Sequence, residues 1–309
     1  MKAPIFPASL KKGDKIAIIS PAGSVEKPQL ENGLHIIRSK GYEPVLGKHL
    51  YTKFSNGYNY AGTEKERISD MNWALNDPEI SAVWASRGGY GCQHLVEHLK
   101  LSGFRENPKW YIGYSDNTVI QSYLLKKGFA SIHAQTVKTS GFGVTPEGYD
   151  LTFDILKGKM PEYSIKKNKL NKSGTAAGEL VGGNLALIYA LLGTKYSFDF
   201  KDKILFIEDI GEKFYALDRM LMSLELAGVF RKIKGLIVGG MTLMEDEKEN
   251  INYEESFDEF SYRIIAERIS KYDFPAIFGF PNGHIYDNRP IIIGAEISMK
   301  VGNKVEVKF

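Results

Sequence analysis

Short apolar runs alternate with amphipathic segments along the first half of the chain. "KIAIIS", "AVWAS" and "WYIGYS" are each apolar on both faces of a predicted strand, and each precedes a segment predicted to be helical. Strands of this kind, separated by helices, are typical of a parallel sheet that is covered on two sides. The pattern therefore predicts an α/β layer.

One helix is predicted to begin after Thr63. Ile68, Met71 and Leu75 fall at positions i, i+3 and i+7, which places them on one helical face. Thr63 and Glu66 form the capping-box pattern that starts many helices.

The composition changes in "KGKMPEYSIKKNKLNKSGTAAG", which is rich in Lys, Asn, Ser and Gly and poor in apolar residues. Such segments are typical of boundaries between domains. We predict an N-terminal α/β domain over residues 1–160, a linker over 161–178 and a C-terminal α/β domain over 179–309.

The second half mixes helices with strands that finish the chain. "ILFIED", "GLIVGG", "PIIIGAEISMK" and "KVEVKF" are predicted strands. Between the first two, one helical face carries Phe214, Leu217, Leu221 and Leu224.

Composition and charge exclude several classes of protein. The 309 residues carry a formal net charge of +3 without a sustained basic block, so no surface for nucleic acid is indicated. The single cysteine, Cys92, excludes an internal disulfide, and Pro4 and Pro7 interrupt the region where a signal peptide needs an apolar run. No apolar stretch approaches the roughly 20 residues of a membrane-spanning helix. We expect a cytoplasmic protein that binds neither nucleic acid nor membranes.

Ser115 lies in "WYIGYSDNT", where a predicted strand turns into a predicted helix. Ligands collect beyond the carboxyl ends of strands in open α/β sheets, and a tight turn projects a serine oxygen clear of the backbone. The stretch is close to the nucleophile elbow G-x-S-x-G, except that Asn117, which tolerates left-handed geometry, replaces the last glycine. Serines at such corners also cap helices, so the pattern alone leaves both roles open.

Two further candidates lie near the ends of predicted strands. His284 follows "PAIFGF" in a loop rich in Gly and Asn, and Glu208 lies at the end of "KILFIED". A serine nucleophile needs a base and an acid that orients it, and the chain order Ser, acid, His matches a known triad order. A solvated loop histidine and a capping acid are the structural alternatives.

A glycine-rich loop, "ASRGGYG", follows another predicted strand and precedes a predicted helix. Paired glycines allow backbone N–H groups to approach a developing oxyanion closely. Glycine clusters also mark ordinary tight turns, so this loop alone does not identify a catalytic site.

Five segments together resemble the LD-carboxypeptidase family of serine peptidases: "SRGGYG", "GYSDNT", "GGNLALIYALLGT", "LFIEDIGEKFYALDRML" and "GFPNGH". The resemblance extends from "GDKIAIISPAG" to "PIIIGAEI". It implies an N-terminal flavodoxin-like parallel sheet with a smaller C-terminal α/β domain, a homodimer, and no metal or other cofactor.

At matching positions, the resemblance implies that Ser115 is the nucleophile, His284 the base and Glu208 the acid that orients it. The triad would span both domains, and the backbone N–H groups of Gly89 and Asp116 would form the oxyanion hole. The implied substrate is a small peptide, because the family removes the terminal D-alanine from cytoplasmic murein tetrapeptides, at an L,D bond, in peptidoglycan recycling.

Several details stay open. Family members often have His-Gly-Pro where this chain has "SIHAQT", which affects the pocket around His133. Glu212 is a second acid close to Glu208. Three arginines could hold an anionic substrate tail or form surface ion pairs: Arg87, Arg219 and Arg289.

Other functions fit parts of the sequence. A related branch of the family resembles microcin C immunity peptidases, which cleave an aminoacyl-nucleotide, and the triad does not separate the two branches.

"HLVEH" fits the zinc-protease pattern H-x-x-E-H on a short helix, in which His94, Glu97 and His98 would serve a zinc ion, although no third protein ligand is identifiable. An α/β-hydrolase shares the triad order but fits poorly with the strand-like end "KVEVKF". A noncatalytic binding protein could retain the fold and its cleft.

Overall fold

The computed structural model describes residues 3–141, 145–245 and 257–309. The chain divides into two compact units, Met1–Met160 with Tyr286–Gly294 and Pro161–Ile285 with Ala295–Phe309. No helix within the described residues is long and apolar enough to span a membrane.

Strands and helices alternate in both units. The strands are, in chain order, β1 (Lys15–Ile19), β2 (Glu43–Leu46), β3 (Phe54–Ser55), β4 (Asn59–Tyr60), β5 (Ile80–Ala85), β6 (Trp110–Gly113), β7 (Ser131–His133), β8 (Glu162–Ile165), β9 (Gly174–Asn184), β10 (Ile204–Ile210), β11 (Gly235–Thr242), β12 (Ala276–Phe278), β13 (Ile291–Ile293), β14 (Glu296–Val301) and β15 (Val305–Lys308). The α-helices are α1 (Lys27–Ser39), α2 (Glu64–Asn76), α3 (Ser102–Glu106), α4 (Thr118–Lys126), α5 (Pro146–Leu156), α6 (Leu185–Leu191), α7 (Phe214–Leu226) and α8 (Phe257–Ile269).

The first unit is built on a six-stranded sheet in the order β13-β7-β6-β5-β1-β2. All neighbours in it are parallel except β13, which runs antiparallel to β7. Without the small β3–β4 hairpin, the parallel strands follow the flavodoxin-like order, whose topological switch point lies here between β1 and β5. The predicted α/β fold is confirmed, and the switch point marks the edge where ligands of such sheets bind.

Helix α2 confirms the helix predicted from apolar spacing. The Thr63 side chain accepts from the Glu66 N–H, and the Glu66 carboxylate accepts from the Thr63 N–H, so both halves of the capping box form. Met71 and Leu75 are fully buried on its inner face. Local capping and burial of one face therefore define this helix.

The second unit contains a seven-stranded mixed sheet in the order β12-β11-β10-β9-β14-β15-β8. Strands β9 to β12 are parallel, and β14, β15 and β8 extend the sheet by antiparallel pairing. Helix α7 buries the four residues of its predicted apolar face: Phe214, Leu217, Leu221 and Leu224.

Two segments differ from the domain boundaries expected from the sequence. Residues 161–178 are not a linker, because they contain β8 and the first part of β9, which pair with β15 and β14. Their polar composition is that of antiparallel strands with one exposed face. Tyr286–Gly294 groups with the first unit, because β13 pairs there with β7. Long-range pairing of this kind has no local signature in the sequence.

Candidate active site

Ser115 follows β6 with a left-handed backbone, at φ +63°. A non-glycine residue in this region carries roughly 1–3 kcal/mol of strain, and such residues cluster at functional sites. Tyr114, at φ −147°, has the extended backbone of a helix-capping residue, whereas Ser115 does not. The conformation therefore favours a nucleophile elbow over a helix cap at Ser115.

Asn117 anchors this turn by hydrogen bonds and not by left-handed geometry. Its φ is −64°, in the right-handed helical region, so the left-handed residue of the turn is the serine. Its side-chain Nδ2 donates to Tyr114 O (2.9 Å), and its Oδ1 accepts from the Tyr111 hydroxyl (2.5 Å). A Cβ at Gly113 would lie 2.8 Å from Asn117 Cγ, so glycine is needed where this side chain folds back.

Two buried polar side chains support the strand ends behind Ser115. Gln121 Nε2 donates to Gly113 O (3.1 Å), and Gln121 Oε1 lies 2.9 Å from His133 Nδ1. The His133 ring meets the Tyr114 ring edge-on, at 6.2 Å between centroids. His133 lies in "SIHAQT", where this chain departs from the His-Gly-Pro of many family members. It is thus part of the hydrogen-bonded support of the turn at Ser115.

The loop after β5 brings two glycines against this corner. A Cβ added to Gly88 would lie 2.9 Å from Ser115 Cβ, so only glycine allows the approach. Gly89 has φ +114°, and a Cβ there would lie 2.1 Å from the Tyr58 hydroxyl. The loop that carries the first predicted oxyanion donor therefore packs directly on the serine turn.

Asp116, whose N–H is the second predicted donor, ties the turn to the same loop. Its Oδ2 accepts from the Cys92 N–H at 2.8 Å. Burial raises the pKa of Asp116 to about 6, although the Cys92 hydrogen bonds and the Arg67 charge oppose the shift. The Asp116 side chain therefore joins the serine turn to the loop that carries Gly89.

Arg67 braces the far side of the glycine loop and was not among the predicted site residues. Its Nη1 donates to Pro21 O (2.8 Å) and to Gly91 O (2.9 Å), which joins the loops that follow β1 and β5. The side chain is only 3% exposed and lies 5.0 Å over the Tyr60 ring. Its one sequence signal is its i+4 spacing from Met71, which places a charge on the buried face of α2.

In the second unit, His284 Nδ1 lies 2.7 Å from Glu208 Oε2. Glu208 is fully buried near the C-terminal end of β10, and His284 lies in the loop after β12. Burial acts to lower the pKa of His284, but the Glu208 charge and hydrogen bond outweigh it, so this pKa lies above its usual value. A carboxylate on Nδ1 holds the tautomer whose Nε2 accepts a proton, so the structure pairs the two residues that the sequence suggested.

The loop that carries His284 is held against the sheet. The Thr242 hydroxyl donates to His284 O at 3.0 Å. Gly283 has φ +118°, and a Cβ there would lie 2.9 Å from Glu208 Cβ. The loop therefore reaches the carboxylate only with glycine before the histidine.

Asp209, which directly follows Glu208, has other partners. Asp209 Oδ1 accepts from Asn184 Nδ2 (2.8 Å) and Oδ2 from the Ala186 N–H (2.9 Å), which caps α6. Burial raises the pKa of Asp209 to about 7, and the Glu208 charge adds to the shift. Glu212 lies beyond the end of β10, and the hydrogen bond to His284 comes from Glu208.

The "HLVEH" segment does not form the predicted single helix. It folds as two 3₁₀ turns, Cys92–His94 and Val96–His98. The prediction is wrong because the chain changes helical type here, so His94 and His98 lack the i, i+4 alignment of one α-helix. In the described part of the chain, no three His, Cys, Asp or Glu side chains are grouped to hold a metal ion.

Ser115 belongs to the first unit, and Glu208 and His284 belong to the second. A strained serine after a parallel strand and a histidine fixed by a buried carboxylate are the parts from which serine hydrolases are built.

Known proteins with similar sequences and structures identify the family. Models of the LD-carboxypeptidase N-terminal and C-terminal domains match residues 16–134 and 177–299. The probable murein peptide carboxypeptidase of Bacillus subtilis (strain 168) is 32% identical over 97% of this chain and 93% of its own length. The microcin C7 self-immunity protein MccF of Escherichia coli is 26% identical over 97% of this chain and 94% of its own.

The crystal structure of muramoyltetrapeptide carboxypeptidase from Oxalobacter formigenes superposes with a TM-score of 0.82 at 25% identity. The match covers 95% of this chain and 98% of that one. The protein is a peptidase of the hydrolase class. It belongs to the LD-carboxypeptidase family.

Proposed function

We propose that this protein is a serine carboxypeptidase that removes the terminal D-alanine from murein tetrapeptides by cleaving the L,D bond. The 2.7 Å contact between Glu208 and His284 carries the proposal, because a carboxylate on Nδ1 is what prepares a histidine to act as a base. The substrate class is supported by two similar proteins, which are named for murein peptides and for muramoyltetrapeptide.

In the proposed mechanism, His284 Nε2 accepts the hydroxyl proton of Ser115 while Oγ attacks the carbonyl carbon of the bond to D-alanine. The N–H groups of Gly89 and Asp116 then donate to the oxyanion, and loss of one such donor costs about 3 kcal/mol of barrier. His284 returns the proton to the departing amine, and water that it activates hydrolyses the acyl-serine. The mechanism requires no metal or cofactor.

The proposed role is peptidoglycan recycling in the cytoplasm, and the proposed assembly is a homodimer. Helix α7 exposes Tyr215 and Leu226, with Leu226 81% exposed, which offers apolar surface that a second copy would bury. Analytical ultracentrifugation tests the assembly, and a monomer throughout the concentration range would contradict it.

Cleavage of an aminoacyl-nucleotide is the second candidate, since the microcin immunity protein is also a relative. The murein peptide relative is more similar over the same share of this chain, at 32% identity against 26%, so we favour the carboxypeptidase.

The test is mass spectrometry of L-Ala-γ-D-Glu-diamino acid-D-Ala after incubation with the protein. We expect loss of one alanine with the wild-type protein and no loss with Ser115→Ala. The all-L peptide and an acyl-sulfamoyl adenylate serve as competing substrates. Preferred cleavage of the adenylate, or equal cleavage of the all-L peptide, would contradict the proposal.

A further inference from the structure

A pocket of about 310 Å³ lies at the switch-point edge of the sheet in the first unit. Ser24 comes from the loop after β1, Arg87 from the loop after β5, Glu26 from the start of α1, and Lys53 precedes the β3–β4 hairpin. Doubly wound sheets bind ligands in the crevice outside the switch point. None of the residues that line this pocket takes part in the proposed catalytic steps.

Positive charge predominates in and around the pocket. Lys53 and Glu26 form an ion pair at 2.7 Å, while Arg87 also lines the pocket. Burial lowers the pKa of Lys138, and the nearby Arg87 charge lowers it further. The Lys138 N–H donates to Ser86 O at 2.9 Å, which places Lys138 beside the loop that carries Arg87. An anionic ligand would therefore meet more than one positive charge here.

Arg87 is oriented but not neutralised. It is half-buried, and its Nη1 donates to Ser24 O at 2.9 Å. Within the described residues it forms no ion pair with a carboxylate. One backbone contact thus fixes the guanidinium and leaves N–H groups for a ligand, since a guanidinium carries five.

The other two candidate arginines are differently placed. Arg289 pairs with the Asp287 carboxylate at 2.9 Å. Arg219 is exposed and lies 5.5 Å over the Tyr215 ring. Of the three arginines, Arg87 alone combines partial burial with the absence of a carboxylate partner within the described part of the chain.

Arg87 is also connected to the serine corner. It directly precedes Gly88, where an added Cβ would lie 2.9 Å from Ser115 Cβ. On the opposite side, a Cβ added to Gly23 would lie 3.3 Å from Arg87 Cζ. The guanidinium is thus packed at the switch point, one residue from the contact with the proposed nucleophile.

We propose that Arg87, assisted by Lys138, binds the C-terminal carboxylate of the peptide substrate. The inference rests on the proposed function and adds how the substrate is selected. A guanidinium binds a carboxylate through two parallel hydrogen bonds, and a lysine adds a second charge. A free carboxylate distinguishes a terminal residue from an internal one, so this contact would make the enzyme an exopeptidase.

The experiment compares the tetrapeptide that ends in a free carboxylate with the same peptide ending in a carboxamide. The wild-type protein should prefer the acid in kcat/KM by roughly 10- to 100-fold, the range for a charged hydrogen bond. Arg87→Met should remove most of this preference by slowing cleavage of the acid, with little effect on the amide. Arg87→Lys should keep part of it, and Arg219→Met, an exposed arginine, is the matched control that should keep all of it.

Binding of both peptides to the Ser115→Ala protein, measured by calorimetry, separates this inference from the proposed function. Suppose that the wild-type protein cleaves neither peptide, while Ser115→Ala binds the acid more tightly than the amide and loses this preference when Arg87 is replaced. The proposed function is then wrong, but the proposed carboxylate site is supported. Equal binding of acid and amide, binding of neither, or a preference that survives Arg87→Met overturns the inference. Thermal unfolding checks the variants, and if Arg87→Met does not fold, Lys138→Met must reduce the preference instead.

Discussion

Gly283 approaches Glu208 so closely that a Cβ on the glycine would lie 2.9 Å from the Cβ of the glutamate. The glycine backbone is left-handed, at φ +118°, and His284 follows it immediately. The position of the candidate base therefore depends on the absence of one side chain.

Gly283→Ala should lower kcat by about 100-fold, because displacing a catalytic group by about 1 Å has an effect of this size. Gly193→Ala is the matched control, since Gly193 is also left-handed, at φ +81°, but has no atom within 4 Å of an added Cβ. Both variants should lose about 1–2 kcal/mol of stability from the backbone. Steady-state kinetics measures kcat, and thermal unfolding measures the stability of both variants. Equal activity of the two variants would disprove the prediction.

The fall of kcat/KM at acidic pH should reflect the pKa of His284. Its pKa lies above the ordinary value because the Glu208 carboxylate outweighs burial, and only the neutral ring accepts a proton, so kcat/KM should fall as the pH drops through this raised pKa. Glu208→Gln removes the charge, so the limb should move to lower pH while kcat falls by about 10⁴-fold. An acidic limb that did not move would show that the base is not coupled to Glu208.

Asp116→Asn should stabilise the protein above neutral pH. The pKa of Asp116 is raised from 3.8 to about 6, so the folded state holds its proton more tightly, and stability declines as the pH rises between these values. Asparagine keeps an oxygen for the Cys92 N–H and removes the buried charge, for a gain of roughly 1–3 kcal/mol at pH 8. The gain should disappear below pH 4 in thermal unfolding, and a gain independent of pH would contradict this origin.

Two substitutions of Ser115 should separate the catalytic role of its hydroxyl from the backbone strain at this position. Ser115→Ala and Ser115→Gly should both lower kcat by about 10⁴-fold or more. The glycine variant alone should gain about 1 kcal/mol in unfolding free energy, because glycine adopts φ +63° without strain. Asp202→Gly, at another left-handed residue (φ +61°), should leave the rate unchanged. Near-normal turnover by Ser115→Ala would exclude the mechanism.

Chelation should leave the activity unchanged. His94 and His98 lie in separate 3₁₀ turns and not on one helical face. His94→Ala and His98→Ala should therefore retain turnover, and metal analysis should find no stoichiometric zinc. Zinc bound at one ion per chain, with activity lost on chelation, would support the metalloprotease instead.

Several features were accessible from the sequence because their signals are local. The capping box at Thr63 and the apolar faces of α2 and α7 arise from residues within a few positions of one another. The same holds for Ser115, Glu208 and His284 as candidates, since an apolar strand followed by a polar residue is visible in any short window.

Other features depended on distant partners. Asn117 was noted as a residue that tolerates left-handed geometry, yet its side chain contacts Tyr111 and Tyr114, and the left-handed residue of the turn is Ser115. The role of Arg67 required the loops after β1 and β5 to meet around its guanidinium.

The α/β class, the principal helices and the polar residues at the strand ends were predictable from the amino-acid sequence, because they follow from short-range periodicity and capping. The folded structure was needed to show that residues 161–178 contain strands, that β13 joins the sheet of the first unit, and that Gly283 allows His284 to reach Glu208. These outcomes depend on pairing between segments far apart in the chain, whose energy comes from the partner surface and not from the segment itself.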